Sequence, residues 1–144
     1  MVRPTSVDIL DTTLRDGLQI EEAIVPTDVK VALAEKLIGS GLKHIEVGSF
    51  VNPKKVPQMA DTDELLRRLA PHEAGEVEFF TLVFNLKGAQ RAVDAGAKNI
   101  KLVLSASEGH SKANSDASIA EASDRLMDAA VFARDQGLRF DITT

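Results

Sequence analysis

"GLKHIEV" at residues 41–47 returns as "GAKNIKL" at 96–102 and as "GLRFDIT" at 137–143. Each copy runs glycine, a small or apolar residue, a base, and then the alternation of a strand. Glycine takes the left-handed position that ends a helix, and a base there meets the negative end of the helix dipole. The next strand starts at once. A chain that repeatedly ends a helix and enters a strand builds parallel strands joined by helical crossovers.

Working outward from these three joints gives the remaining elements. "VDILDTT" (7–13) reads as a buried strand, and "TDVKVALAEKLIGSG" (27–41) as a helix. Val31, Ala34 and Ile38 share one face of that helix, with Leu33 and Leu37 beside it. Thr27 is placed as its N-cap, and Gly39 and Gly41 as its stop. "KHIEVGSF" (43–50) is the second strand, followed by the Pro- and Asn-rich "VNPKKVPQM". Asp61 and Glu64 have capping-box spacing before "DELLRRL". "VEFFTLVF" (77–84) is strand three, "NLKGAQRAVDAG" (85–96) a helix and "NIKLVLSAS" (99–107) strand four. Ser118 and Glu121 form a capping box for the long helix "IAEASDRLMDAAVFARDQG", and "LRFDITT" is strand five.

Two α/β architectures compete for this pattern. A doubly wound sheet carries a glycine-rich phosphate turn after its first strand. Here that turn holds "RDGLQ", and neither GxGxxG nor GxxxxGK[ST] occurs. The pitch of about 30 residues per unit matches a (β/α)8 TIM barrel of about 250 residues. The fold class is therefore a parallel barrel. Residues 1–144 form a single domain covering its first four βα units plus strand five, an N-terminal half.

Chemistry in such a barrel collects at the C-terminal ends of the strands. That rule selects Asp11, Arg15 and Asp16 after strand one, and Glu46 and Ser49 at the end of strand two. It adds Asn85 after strand three, Ser105, Ser107 and Glu108 after strand four, and Thr143 and Thr144 after strand five. Carboxylates and hydroxyls converging on one rim suit a hard divalent cation, Mg2+ or Mn2+. Asp16 is the best single metal ligand of the set. A fixed Arg15 guanidinium can hold a carboxylate or a developing enolate oxygen. Taken alone, Arg15 and Asp16 also read as a surface ion pair in a turn. Glu46 is less easily dismissed, because a lone carboxylate inside the apolar "HIEVGSF" is costly to bury. His44 and His72 read as structural or solvent-exposed, and His110 as a solvated loop residue.

"DTTLRDGLQ" (11–19), "IEVGSFVNPKKVPQM" (45–59), "NLKGAQRAVDAGA" (85–97) and "SASEGHSKANSDASIAEA" (105–122) together resemble the 3-hydroxy-3-methylglutaryl-CoA lyase family. That family belongs to the metal-dependent aldolase and Claisen-condensing barrels called DRE-TIM metallolyases. The Arg-Asp-Gly turn indicates the superfamily, and the stretch ending in Val-Pro-Gln-Met points to the lyases. Leu18 fits them too, since related isopropylmalate- and homocitrate-forming synthases resemble the motif with Glu before the Gln.

The resemblance implies that Asp16 ligates the metal and Arg15 stabilises the enolate of the departing acetyl thioester. It implies that Glu46 is a catalytic carboxylate and that Arg15, Gln19, Ser49, Asn85 and Ser107 contact the acyl-CoA substrate. The implied reaction is a retro-Claisen cleavage to acetoacetate and acetyl-CoA, in leucine degradation and ketone-body metabolism. A related hydroxyacyl-CoA or 2-oxo acid is the second reading, and a non-catalytic half-barrel completed by association the third. Lys55 stands where these lyases commonly have Trp, and His110 where an aromatic is usual; "FDITT" also departs from their pattern. The family's further ligands, a His-x-His pair and an Asn, have no counterpart in residues 1–144, so this stretch alone is expected to bind metal weakly.

Composition bounds the rest. The chain has 44% hydrophobic and 27% charged residues and a net charge of -5, which disfavours nucleic acid and anionic membranes as partners. It has no cysteine, hence no disulfide or thiolate metal site. "MVRPTSVDIL" lacks the apolar core of a signal peptide, and no apolar run reaches membrane-span length. The expectation is a cytoplasmic homo-oligomer.

Overall fold

The computed structural model describes residues 4–144; Met1–Arg3, part of the N-terminal stretch read as lacking a leader, lie outside the described residues. Five strands alternate with helices: β1 (Leu10–Asp11), α1 (Thr27–Gly39), β2 (His44–Ser49), α2 (Thr62–Leu69), β3 (Glu78–Val83), α3 (Leu86–Asp94), β4 (Asn99–Val103), α4 (Glu108–Ser115), α5 (Ile119–Asp135) and β5 (Arg139–Thr143). All neighbours pair in parallel, and the sheet order β1-β2-β3-β4-β5 follows the sequence. A doubly wound sheet reverses its strand order part-way, whereas a barrel wall does not. The monotonic order decides for the barrel class.

The three glycine joints share one geometry. Gly41, Gly96 and Gly137 have φ of 96°, 83° and 74°. In each the glycine N–H donates to the carbonyl three residues back: Ile38 at 2.9 Å, Val93 at 2.9 Å and Arg134 at 3.0 Å. The following N–H closes the wider ring onto Leu37, Ala92 or Ala133. This is the Schellman arrangement, and Leu42, Ala97 and Leu138 supply its apolar contact with the core. The bases reach acids at the strand entrances: Lys43 meets Glu76, Lys98 meets Glu73 and Arg139 meets Glu78. Their hydrogen bond raises the pKa of Lys43, which Glu76 stabilises in its charged form, and lowers that of Glu76.

The core lies between the outer face of the sheet and the helices. Ile45, Val47, Phe79, Val83, Ile100 and Leu102 pack there with Ala34, Leu65, Leu69, Ala89, Ala92, Ala129 and Ala133. Two glycines permit close approach. A Cβ on Gly48 would stand 2.5 Å from Thr62 Oγ1, and one on Gly88 would stand 2.9 Å from the Phe50 carbonyl oxygen. Gly48 follows an irregularity in the β2–β3 register.

Several local expectations are corrected. β1 is only two residues long, and Val7 and Ile9 are exposed rather than buried. Among the described residues it has a strand partner on one side alone, and the Asp11 carboxylate draws the chain out of the strand by accepting from Thr13. Pro26, not Thr27, precedes α1; the Thr27 hydroxyl donates instead to Asp61. Asp61 sits at the N-cap of α2 without capping it, because its carboxylate is engaged by Thr27 and by buried Lys30. α4 is a helix where a loop was expected. Ser107 caps it, and Asp116 ends it in the left-handed region at φ 54°. The Ser118–Glu121 box on α5 forms in full.

Candidate active site

At the end of β1, the Asp11 side chain accepts from the Thr13 N–H at 3.0 Å and from its hydroxyl at 3.1 Å. The chain then makes one wide π-helical turn, Thr13–Gly17, in which the N–H groups of Arg15, Asp16 and Gly17 all donate to the Thr12 carbonyl. Leu14 is buried on the core side. Arg15 and Asp16 therefore stand on the open side of the turn, and Asp11 is spent on shaping it.

Arg15 bridges two carboxylates. Its Nε donates to Glu46 Oε1 at 3.0 Å and its Nη2 to Glu46 Oε2 at 3.2 Å, a two-point grip. Its Nη1 donates to Asp16 Oδ1 at 2.7 Å. The Glu46 side chain is 1% exposed, Arg15 18% and Asp16 65%. Burying Glu46 is tolerable because both its oxygens are satisfied by a charge-assisted, geometrically matched partner. A guanidinium has five N–H groups. Three are used here, leaving one on each Nη for a ligand.

The group opens onto a cleft of about 740 Å³ on the concave face of the sheet. Of the sequence-derived residues, Arg15, Asp16, Gln19, Glu46, Asn85, Ser105, His110 and Thr143 line it. Asn85 also caps α3, accepting from the Gly88 N–H at 3.0 Å. Ser49 and Ser107 are not on the cleft wall. Ser49 is fully buried, with its N–H on Thr62 Oγ1, and Ser107 accepts from the His110 N–H as the cap of α4. The Glu108 carboxylate accepts from the Ile119 N–H and so ties α4 to α5. His110 stands on α4 within 3.0 Å of the Asn114 amide nitrogen. His44 packs edge-on against Phe80 and lies 3.5 Å from Glu78, and His72 lies 3.5 Å from Glu35; both are structural.

Sequence reasoning missed the cleft residues Lys101 and Arg125. A base amid the apolar alternation of "NIKLVL" was the available signal for Lys101. For Arg125, on a polar stretch of α5, the sequence held none.

Asp16 offers the cleft a hard oxygen donor, the right chemistry for Mg2+ or Mn2+. One carboxylate does not hold such an ion. Glu46 is taken by Arg15 and Asp11 by Thr13, and the described residues contain no cluster of three His, Cys, Asp or Glu side chains able to bind a metal. The described residues thus do not make a metal site by themselves.

A family model described as HMGL-like matches residues 6–143. The chain belongs to the HMGL-like family. Among its relatives, the cytoplasmic 3-hydroxy-3-methylglutaryl-CoA lyase of Mus musculus is 44% identical over 131 residues, covering 91% of this chain and 38% of that protein. The (R)-citramalyl-CoA lyase of Chloroflexus aurantiacus is 38% identical over 145 residues, covering 95% of this chain and 46% of that protein. Among solved structures, an HMG-CoA lyase from Acinetobacter baumannii, in complex with coenzyme A and 3-methylmalate, superposes with a TM-score of 0.87. It is 36% identical, over 94% of this chain and 43% of that one. The chain thus spans less than half the length of these HMGL-like proteins, and its five strands match part of their barrel. HMGL-like relatives include mitochondrial as well as cytoplasmic forms. Among the described residues no helix is long and apolar enough to cross a membrane.

Proposed function

We propose that residues 1–144 carry one half of the active site of a CoA-ester lyase that cleaves 3-hydroxy-3-methylglutaryl-CoA to acetoacetate and acetyl-CoA. The observation that carries this reading is Arg15, held on Glu46 and Asp16 at the mouth of the cleft with N–H groups to spare. In the retro-Claisen step the tertiary alcohol loses its proton, and its oxygen forms the new ketone as the adjacent carbon–carbon bond breaks. The bond's electron pair moves onto the acetyl thioester as an enolate, which takes up a proton to give acetyl-CoA. The charge arising on the thioester oxygen needs a donor fixed beforehand. Arg15 meets that need because Glu46 holds its plane. Glu46, in turn, would keep Arg15 oriented and would relay protons at the buried edge of the cleft.

Gln19 and Asn85 line the same cleft and would contact the acyl-CoA, whereas Ser49 and Ser107 would act by fixing the loops that frame it. Divalent-metal dependence belongs to the proposal: the ion would activate the alcohol, with Asp16 supplying one ligand and the remaining donors coming from outside the described residues. We likewise propose that the protein is a cytoplasmic homo-oligomer.

The citramalyl-CoA lyase among the relatives favours a second reading, a related hydroxyacyl-CoA thioester as substrate. Mass spectrometry of the gene product that carries residues 1–144, incubated with each thioester and Mg2+ or Mn2+, separates the two. Equal amounts of acetoacetate and acetyl-CoA from the hydroxymethylglutaryl thioester are expected. Preferential cleavage of citramalyl-CoA would move the assignment to the second reading, and no acetyl-CoA from either would end both.

A further inference from the structure

Lys101 sits in the middle of β4, between Ile100 and Leu102, which face the helices and are fully buried. Strand alternation puts Lys101 and Val103 on the opposite, concave face, and both line the cleft that holds Arg15 and Glu46. Its register neighbours are Leu82 on β3 and Asp141 on β5. Lys101 is half-buried, yet among the described residues its ammonium joins neither an ion pair nor a hydrogen bond, and Asp141, although opposite, is exposed and unpaired with it.

Other lysines of this protein are used differently. Buried Lys30 satisfies its charge with Asp61 Oδ1 at 2.5 Å and the Gln58 carbonyl at 2.7 Å. Lys43 and Lys98 each hold a glutamate. Lys55 and Arg125 also line the cleft, but they are exposed, where water solvates them. Among the described lysines, Lys101 places a partly desolvated cation with open donors on the sheet wall, beside Leu82 and Val103. Such a charge is costly without a partner and is strengthened by one in the same low-dielectric setting.

We propose that Lys101 is a specificity-determining residue that holds a free carboxylate on the acyl part of the bound thioester. The inference rests on the CoA-ester reading above and narrows it to acyl groups bearing their own anionic end. Lys101 shares the sheet wall with Glu46, the partner of Arg15, so the acyl part of the ligand is what reaches it. The phosphates of coenzyme A have the same charge chemistry, and the test separates the two sources.

Calorimetric titration of the gene product carrying residues 1–144 supplies that test with three probes. These are 3-hydroxy-3-methylglutaryl-CoA, 3-hydroxy-3-methylbutyryl-CoA, which lacks only the carboxylate, and the hydroxymethylglutaryl thioester of pantetheine, which lacks the nucleotide and its phosphates. Lys101→Met should weaken both carboxylated probes by about 10- to 100-fold and leave the butyryl probe unchanged. Lys101→Gln, which keeps the polar character, should give the same loss, and Lys101→Arg should recover most of the affinity. Undiminished butyryl-CoA binding shows that each variant is folded. Equal weakening of both CoA thioesters with pantetheine binding untouched would assign Lys101 to a phosphate and overturn the proposal. Unchanged discrimination in Lys101→Met would overturn it while leaving the lyase reading intact. No binding of any probe to the wild type would remove the lyase reading and this inference together.

Discussion

The two flanks of the sheet are held by different means. The segment that follows β2 is tied down by polar contacts: Lys30 grips Asp61 and the Gln58 carbonyl, and the Gln58 amide donates to the Glu21 carbonyl at 2.8 Å. Arg91 pairs with Asp63, donates to the Val51 carbonyl and lies 5.3 Å over the Phe50 ring. The β5 flank has instead an apolar groove of about 310 Å³ lined by Leu104, Leu126, Phe140 and Ile142. Met127, Val131 and Ile142 stand exposed along it. Glu46 is on the tied side, so the orientation of Arg15 is set by a strand whose following loop is held by these contacts. The difference separates a flank that anchors Arg15 from one whose outer side is an apolar groove, and substitutions on the two should differ accordingly.

The largest effect is expected at the buried ion pair. Glu46→Ala leaves Arg15 with Asp16 alone and empties a buried position, and should cost about 3 kcal/mol in urea unfolding, the lower part of the range for breaking buried pairs because Arg15 keeps some solvent. A loss under about 1 kcal/mol would mean that the pair does not anchor the turn. Next comes Gly48→Ala. Its Cβ would press on Thr62 Oγ1, which already bonds Ser49 and Met59 and has no room to yield. Overpacking of that kind costs about 1–3 kcal/mol, and the same measurement checks it.

A smaller effect follows from the cap of α5. Backbone and hydroxyl hydrogen bonds from Ser118 hold the Glu121 carboxyl below its usual range. Since the folded value is depressed, the stabilisation is present above the unfolded carboxylate range and fades as pH falls through the folded value. Ser118→Ala should lower Tm by a few degrees near neutrality and flatten that acid limb, as circular dichroism against pH would record. Least affected should be Ile142→Lys on the apolar flank, within about 0.5 kcal/mol of the wild type in urea. A loss above about 2 kcal/mol there would erase the contrast between the flanks.

The fold was legible where backbone chemistry left a local mark. Gly41, Gly96 and Gly137 announce their joints because only glycine takes that conformation without strain, and Ser118 with Glu121 spells out its cap. α4 was not legible: "EGHSKANS" is a poor helix former with Gly109 inside, and Asp116 stops it in a position usually given to glycine. The failed Asp61 cap shows the limit of short motifs, since Lys30, distant in sequence, claims the carboxylate. For the same reason Arg15 and Glu46 were each visible as candidates, while their two-point contact depended on the β1–β2 pairing. Asp11 looked like a candidate and proved to be the hinge of the turn. For Lys101 the sequence shows a base inside an apolar strand, but strand alternation gives its face, not what that face meets.

The central claim is that Arg15, steadied by Glu46, receives the negative charge of a bound thioester. A crystal structure of the protein with 3-hydroxy-3-methylglutaryl-CoA tests it most directly. The thioester carbonyl oxygen should accept a hydrogen bond from an Nη of Arg15 while Nε remains on Glu46. A ligand seated away from Arg15, or an Arg15 turned off Glu46 to face solvent, would contradict the account.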